Sequence, residues 1–252
     1  MMVDLNADCG ESYGPWTMGD DGGIMSVVTS ANIACGGHAG DPSTMAAALG
    51  IAKEKGVAAG AHPGYVDPLG FGRRVIPMSA REVELMVAYQ VGAMLAVAAL
   101  EGVAVGHVKA HGALSNHAMR DRPTADAIAR AVRGVDRNLV LLAVARTELV
   151  AAGERAGLRV ASEVFADRTY RPDATLTPRS EPDAVLHDAN ECARRVVRMV
   201  EEGAIFAEDG TRVDTPVDSI CVHGDEPSAV LVARTVRAAL EAQGVSLQAF
   251  SG

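Results

Sequence analysis

The sequence is short of positive charge. Its 23 Lys and Arg face 32 Asp and Glu, for a formal net charge of -9, and no basic block gathers the cations. A phosphate backbone needs such a block, so no nucleic-acid partner is expected. Cysteine is scarce too. Cys9, Cys35, Cys192 and Cys221 lie far apart with no Cys-x-x-Cys pair, which points to reduced thiols rather than a disulfide frame or a zinc knuckle. Long apolar runs are missing: the longest, "MLAVAALEGVAVG", is interrupted by Glu101 and two glycines. The opening "MMVDLNADCG" has neither the basic nor the apolar region of a signal peptide, so a cytoplasmic protein away from membranes is expected. There is no Gly-x-x-x-x-Gly-Lys-Ser/Thr phosphate loop, no Gly-x-Gly-x-x-Gly after a strand and no Gly-x-Ser-x-Gly elbow. A stand-alone ATPase, dehydrogenase or serine hydrolase is therefore not indicated. No linker, internal repeat or low-complexity tract divides the chain, which predicts one domain over residues 1–252.

What is present is a repeating grammar. Hydrophobic residues make up 48% of the 252 residues, enough for a sizeable core. Seven short apolar runs read as buried strands: "MVDLNA", "VVTSANIA", "VAAGAH", "VAVGHVKAH", "LVLLAVA", "LRVASEVF" and "SICVH". Helices lie between them. Asp41 and Pro42 open one that Gly56 ends, and Ser79 with Glu82 forms a capping box for another that ends near Gly102. Further glycine stops stand at Gly134, Gly157, Gly203 and Gly244, with first-turn prolines at Pro123 and Pro227.

Strands alternating with helices imply a parallel sheet, either open and doubly wound or closed as a barrel. In an open sheet the polar ligand-binding residues gather at one switch point, whereas in a barrel they follow nearly every strand. Here Asp8 and Glu11, His38 and Asp41, His62, Lys109 and His111, Glu163 and Asp167, and His223 and Asp225 follow six of the seven runs. Only "LVLLAVA" lacks such an ending. An α/β fold, a parallel (β/α) barrel of about seven strands, is predicted.

Two strands carry the densest chemistry. In "DLNAD" the residues Asp4, Asn6 and Asp8 share one face, and buried carboxylates demand a metal, a lysine or histidines as partners. An EF-hand reading fails, because Cys9 stands where the loop needs glycine and Pro15 where it needs glutamate. In "HVKAH", His107, Lys109 and His111 alternate with apolar residues, and a lysine inside a barrel needs a counter-charge. Five of seven histidines fall at or near strand ends. Cys9, Cys35 and Cys221 read as small buried hydrophobes, Arg194, Arg195 and Arg198 as a solvated helix face, and Trp16 with Tyr13 as a cover for the barrel end. Arg73 and Arg74 sit where a planar fork can grip a carboxylate.

Taken together, "DLNADCGE", "SANIACGGHAGD", "GAHPG", "FGRR", "HVKAHGALSN", "EVFADRTYRPDATLTPRS" and "CVHGD" make the chain resemble the LamB/YcsF family, the A subunit of a bacterial ATP-dependent 5-oxoprolinase. The motifs run in order from Asp4 to Asp225. Ala110 and Ser115 depart from the family's usual Pro and Tyr in the "HVKAHGALSN" segment. The resemblance implies a fold similar to glycoside hydrolase/deacetylase barrels. It also implies opening of the 5-oxoproline lactam to L-glutamate with ATP hydrolysis, in a complex with subunits B and C that handles the ATP. Carried onto this sequence, the catalytic set is Lys109, His111, Glu163 and Asp225: Lys109 steadies negative charge, and His111 with Glu163 or Asp225 moves protons. The substrate-binding set is Asn6, Arg73, Asp167, Arg168, Arg179 and His223. Two alternatives stand beside it. One is a stand-alone metal-dependent amidohydrolase or deacetylase holding a divalent metal on Asp8, His38 and His62, as barrels of similar fold do; the other is a non-catalytic metabolite-binding subunit.

Overall fold

The computed structural model describes residues 1–223 and 229–250, so Asp225 and Pro227 lie outside the described residues. In chain order the strands are β1 (Met2–Cys9), β2 (Ser30–Ala34), β3 (Ala58–His62), β4 (Val105–Lys109), β5 (Val140–Val144), β6 (Val160–Phe165), β7 (Ala204–Phe206), β8 (Arg212–Asp214), β9 (Ser219–Val222) and β10 (Ser246–Leu247). Strands β1 to β6 pair in sequence order, β9 follows β6, and β9 also pairs with β1. All of these pairings are parallel. The result is a closed seven-stranded barrel, and all seven strands coincide with the seven apolar runs of the sequence. β10 adds a short parallel pairing to the start of β1, and β7 and β8 form a separate antiparallel pair.

The connecting helices are α1 (Asp21–Ile24), α2 (Pro42–Lys55), α3 (Ala80–Glu101), α4 (Gly112–Ala118), α5 (Arg122–Val135), α6 (Glu148–Arg155), α7 (Ala189–Glu202) and α8 (Ala229–Ala242). Local chemistry sets their ends. Asp41 accepts from the Ser43 and Thr44 amides and Gly56 closes α2 in the left-handed region; Ser79 and Glu82 complete the capping box of α3, which stops at Gly102. Gly134 is a correction: it lies inside α5, whose last turn is closed by Asp136 instead. Helix α3 is long and apolar enough to pass for a membrane span, but Val83, Val87, Val91, Met94 and Ala98 are buried and the helix packs against α5 and α2. It is a core helix with an outer face that carries Leu85, Tyr89 and Leu100.

The side chains divide by the period of two that any strand imposes. Leu5, Ala7, Ile33, Val108, Leu141, Val164 and Ile220 point outward into the main hydrophobic shell beneath the helices. The alternate residues face the barrel interior, and there the two halves differ. Val140, Leu142 and Ala161 form a small apolar cluster with Phe250, and Val144 and Phe165 another with Cys221 and Met119. The side built by β1, β2, β4 and β9 is polar: Asp4, Asn6, Ser30, Asn32, His107, Lys109 and Ser219 are all buried. The strand without a polar ending thus supplies the dry wall.

Gly60 shows how tightly this interior is filled. It sits in register between Asn32 and His107, and the His107 ring crosses over it to reach Asn32; a Cβ at Gly60 would overlap that ring. Gly60→Ala is expected to cost about 1–3 kcal/mol by overpacking, read from urea unfolding followed by circular dichroism.

Candidate functional site

The floor of the site is an ammonium group. Lys109, the last residue of β4, places Nζ 3.0 Å from Asp8 Oδ1, 2.9 Å from Glu163 Oε1, 3.3 Å from Asn6 Oδ1 and 3.0 Å from Cys221 Sγ. Burial alone would push its pKa down, but the carboxylates of Asp8 and Glu163 and the polar Cys221 outweigh it and hold the ammonium well above the usual lysine value. Burial raises the Asp8 carboxyl, yet His62 and Lys109 more than reverse that and hold it well below its ordinary value. Burial raises Glu163, with Lys109 opposing. Cys221 is therefore more than the small hydrophobe the sequence suggests, since its sulfur touches this charge.

Beneath that layer a directional chain of hydrogen bonds fixes each side chain. Asn32 Nδ2 donates to Asn6 Oδ1 at 2.7 Å and to Asp8 Oδ1 at 2.9 Å, so Asn32 Oδ1 must accept, and it takes the Nε2–H of His107 at 2.8 Å. Asn6 Nδ2 donates to Glu163 Oε1 at 2.9 Å and to Ser219 Oγ at 2.7 Å, and Ser219 donates onward to Asp4. Asn6, expected to touch substrate, is wholly enclosed in this chain.

Beside the lysine lies a second cluster. Glu11, His38, His62 and His111 offer ligand atoms within 4.8 Å of one another. His62 Nδ1 donates to the Lys109 carbonyl at 2.7 Å and His111 Nε2 to the Phe71 carbonyl at 2.9 Å. The remaining nitrogens, His62 Nε2 and His111 Nδ1, therefore turn lone pairs toward each other at 3.1 Å. Two such lone pairs repel unless a proton or a cation lies between them. Glu11 Oε1 stands 3.1 Å from His38 Nε2 and 3.6 Å from His111 Nδ1, and His38 Nδ1 is buried without a hydrogen-bond partner. Burial, then the neighbouring histidines, keep His38 well below its ordinary pKa and lower His111 to about 3. Three imidazoles and one carboxylate form a donor set that fits a divalent transition-type ion. Of the expected ligands, His38 and His62 belong to this set. Asp8 reaches His62 at 3.3 Å but is engaged by Lys109, while Glu11 and His111 complete the donors. The sequence signal for Glu11 was its place at the end of "DLNADCGE". Gly72, at φ +60, closes over the cluster, where a Cβ would stand 2.6 Å from the Cβ of His38.

Above both clusters opens a cavity of about 640 Å³. Asp8, Glu11, His62, Lys109, His111 and His223 reach it from below, and Arg73, Arg120, Arg168, Arg171 and Arg179 line it higher up. Arg73 lies over the Phe71 ring at 5.0 Å. Arg168 is buried and spends its guanidinium on the Thr177 and Ala184 carbonyls, at 2.5 and 3.1 Å, so it braces the loop it belongs to. Arg74 faces away and pairs with Asp67. Arg195, read as part of a solvated face, is half-buried and donates to the Arg168 carbonyl. His223 Nδ1 is 2.6 Å from Asp167 Oδ2. Trp16 stacks on Tyr13 at 6.2 Å and remains 66% exposed, so it covers little.

Two expectations follow. First, burial and then Lys109 lower His107 to about 3 from an ordinary 6.5, so the folded protein refuses a proton that the unfolded chain accepts. The stability this confers is full above pH 6.5 and is lost as pH falls toward 3, at about 1.4 kcal/mol per pH unit. Urea unfolding of His107→Gln beside the unaltered chain, at about pH 7.5 and about pH 5.5, should show a smaller acid loss in the variant. Second, Zn²⁺ at roughly 100 times its Kd should raise the melting temperature of chelator-treated protein by about 5–10 °C, and Glu11→Gln combined with His62→Ala should remove the shift.

Known proteins agree with this architecture. The LamB/YcsF family model matches residues 3–252. The 5-oxoprolinase A subunit of Rhodopseudomonas palustris (strain BisB5) is 54% identical over 252 residues, covering 100% of this chain and 99% of its own length. Its counterpart from Bordetella pertussis (strain Tohama I) is 50% identical over 98% of each chain. The crystal structure of a lactam utilization protein from Thermus thermophilus superposes with a TM-score of 0.94 at 48% identity, covering 99% of this chain and 100% of that one. A T48 deacetylase with substrate, at 14% identity and a TM-score of 0.50 over 98% of this chain and 86% of its own, shares the fold alone. On full-length sequence match, this chain belongs to the LamB/YcsF family.

Proposed function

We propose that this chain, acting as one domain, is the A subunit of an ATP-dependent 5-oxoprolinase that opens the 5-oxoproline lactam to L-glutamate. The observation that carries the reading is the Lys109 ammonium, anchored at the floor of a cavity that Arg73 and Arg179 also line. The full-length relatives, named as 5-oxoprolinase A subunits, and the lactam utilization protein narrow the substrate class to a small cyclic amide.

The chemistry fits the residues. A lactam resists attack because its amide is resonance-stabilised, and the negative charge that gathers on the carbonyl oxygen during addition needs a fixed positive partner. Lys109 supplies one that requires no reorganisation, since Asp8 and Glu163 already hold it in place. Arg73 and Arg179 line the cavity, and in this reading they take the substrate's carboxylate. Glu11, His38, His62 and His111 would hold a divalent ion, which when bound supplies Lewis-acid polarisation beside the same floor. With no phosphate loop in the sequence, ATP falls to the complex with partner subunits B and C.

The purified chain mixed with subunits B and C is expected to release glutamate from 5-oxoproline only when ATP is supplied. Lys109→Met should lower kcat at least about 100-fold without dissociating the complex, as loss of an oxyanion partner does. Amide hydrolysis by the chain alone, abolished by a chelator, would replace this reading with a stand-alone metal hydrolase. Full turnover in Lys109→Met would reduce the chain to a binding role.

A further inference from the structure

Lactam opening needs a group that carries protons, and the geometry eliminates most candidates on this floor. Both nitrogens of His111 are taken, one facing His62 and one donating to Phe71. His62 is likewise fixed between the Lys109 carbonyl and the His111 ring. Glu163 is enclosed between Lys109 and Asn6. Lys109 itself is committed to two carboxylates. Among the described histidines that line the cavity, one is differently placed. His223 lines the cavity, donates Nδ1–H to Asp167 Oδ2 at 2.6 Å and lies against the Phe165 ring at 5.4 Å, the same ring that Lys109 approaches at 5.3 Å. Its Nε2 has no partner among the described residues. A carboxylate on Nδ1 fixes the tautomer, so Nε2 carries the lone pair. Asp167 is buried and does not line the cavity; it acts on the ring.

We infer that His223 is the proton carrier of this site, with Asp167 as its positioning residue: Nε2 takes a proton from the attacking water and returns it to the departing ring nitrogen. The inference rests on the lactam reading above. The balance closes on water alone. The water oxygen bonds to the lactam carbonyl carbon and one water proton passes to Nε2; the carbon–nitrogen bond then breaks, its electron pair goes to nitrogen, and Nε2–H protonates that nitrogen. Lactam plus water gives the open amino acid, and His223 ends neutral. The nitrogen must leave with a proton whether or not the carbonyl oxygen is first phosphorylated, so this role is independent of the ATP step.

The test uses the complex of this chain with subunits B and C, measuring kcat and KM for 5-oxoproline with ATP. His223→Gln should lower kcat at least about 100-fold, in the range of lost general acid–base catalysis, with KM changed less than about 3-fold. Imidazole added to His223→Ala should restore activity at least about 10-fold, which a structural role would not allow. Asp167→Asn should lower kcat with the melting temperature kept. Turnover retained in His223→Gln, or lost only through KM, overturns the inference while the lactam reading stands. Loss of kcat in both His223 variants with no imidazole rescue also overturns it. No 5-oxoproline turnover in the unaltered complex overturns both.

Discussion

A buried ammonium group needs negative charge around it, and the interior of this barrel is organised to meet that need. Lys109 brings β4 to the centre, Asp8 comes from β1 and Glu163 from β6, so one cation ties together three strands that are distant in sequence. Neither carboxylate would be tolerable there alone. Removing one member of such a buried group leaves an uncompensated charge, which costs about 3–5 kcal/mol in comparable cases. Burial of ions is a poor source of net stability, so stability alone does not account for this arrangement.

The surroundings divide the floor into two electrostatic regions. The lysine side is ionic and locked by a one-way hydrogen-bond chain from His107 through Asn32 to Asp8, and from Asn6 through Ser219 to Asp4. On the histidine side, burial and then the neighbouring rings hold His38 and His111 below their ordinary values. Backbone carbonyls of Lys109 and Phe71 decide which nitrogens of His62 and His111 face inward. A donor cluster with its tautomers set from behind is what a divalent ion requires. His223, oriented by Asp167, lies against the same Phe165 ring that Lys109 approaches.

The apolar wall of β5 completes the division. Val140, Leu142 and Val144 give no polar group to the interior, which keeps the ionic cluster to one side and lets the opposite wall pack as an ordinary core. Glycine makes this crowding possible at two points: Gly60 admits the His107 ring between strands, and Gly72 admits the backbone over His38 and His111.

Much of this was legible in the chain alone. The seven apolar runs, the caps at Asp41 and Ser79 and the polar residue after nearly every strand determine a closed parallel barrel, because period and capping are local properties of the backbone. The same alternation put Asp8 and Lys109 on interior faces. What needed the tertiary structure was selection among neighbours: that Asp8 serves the lysine and Glu11 joins the histidines, that Asn6 is sealed off, that Arg168 braces a loop, and that Gly134 lies inside a helix that Asp136 ends. Those outcomes turn on contacts of about 3 to 4 Å between residues up to 213 positions apart, set by strand register and ring tautomer, and no local pattern encodes them.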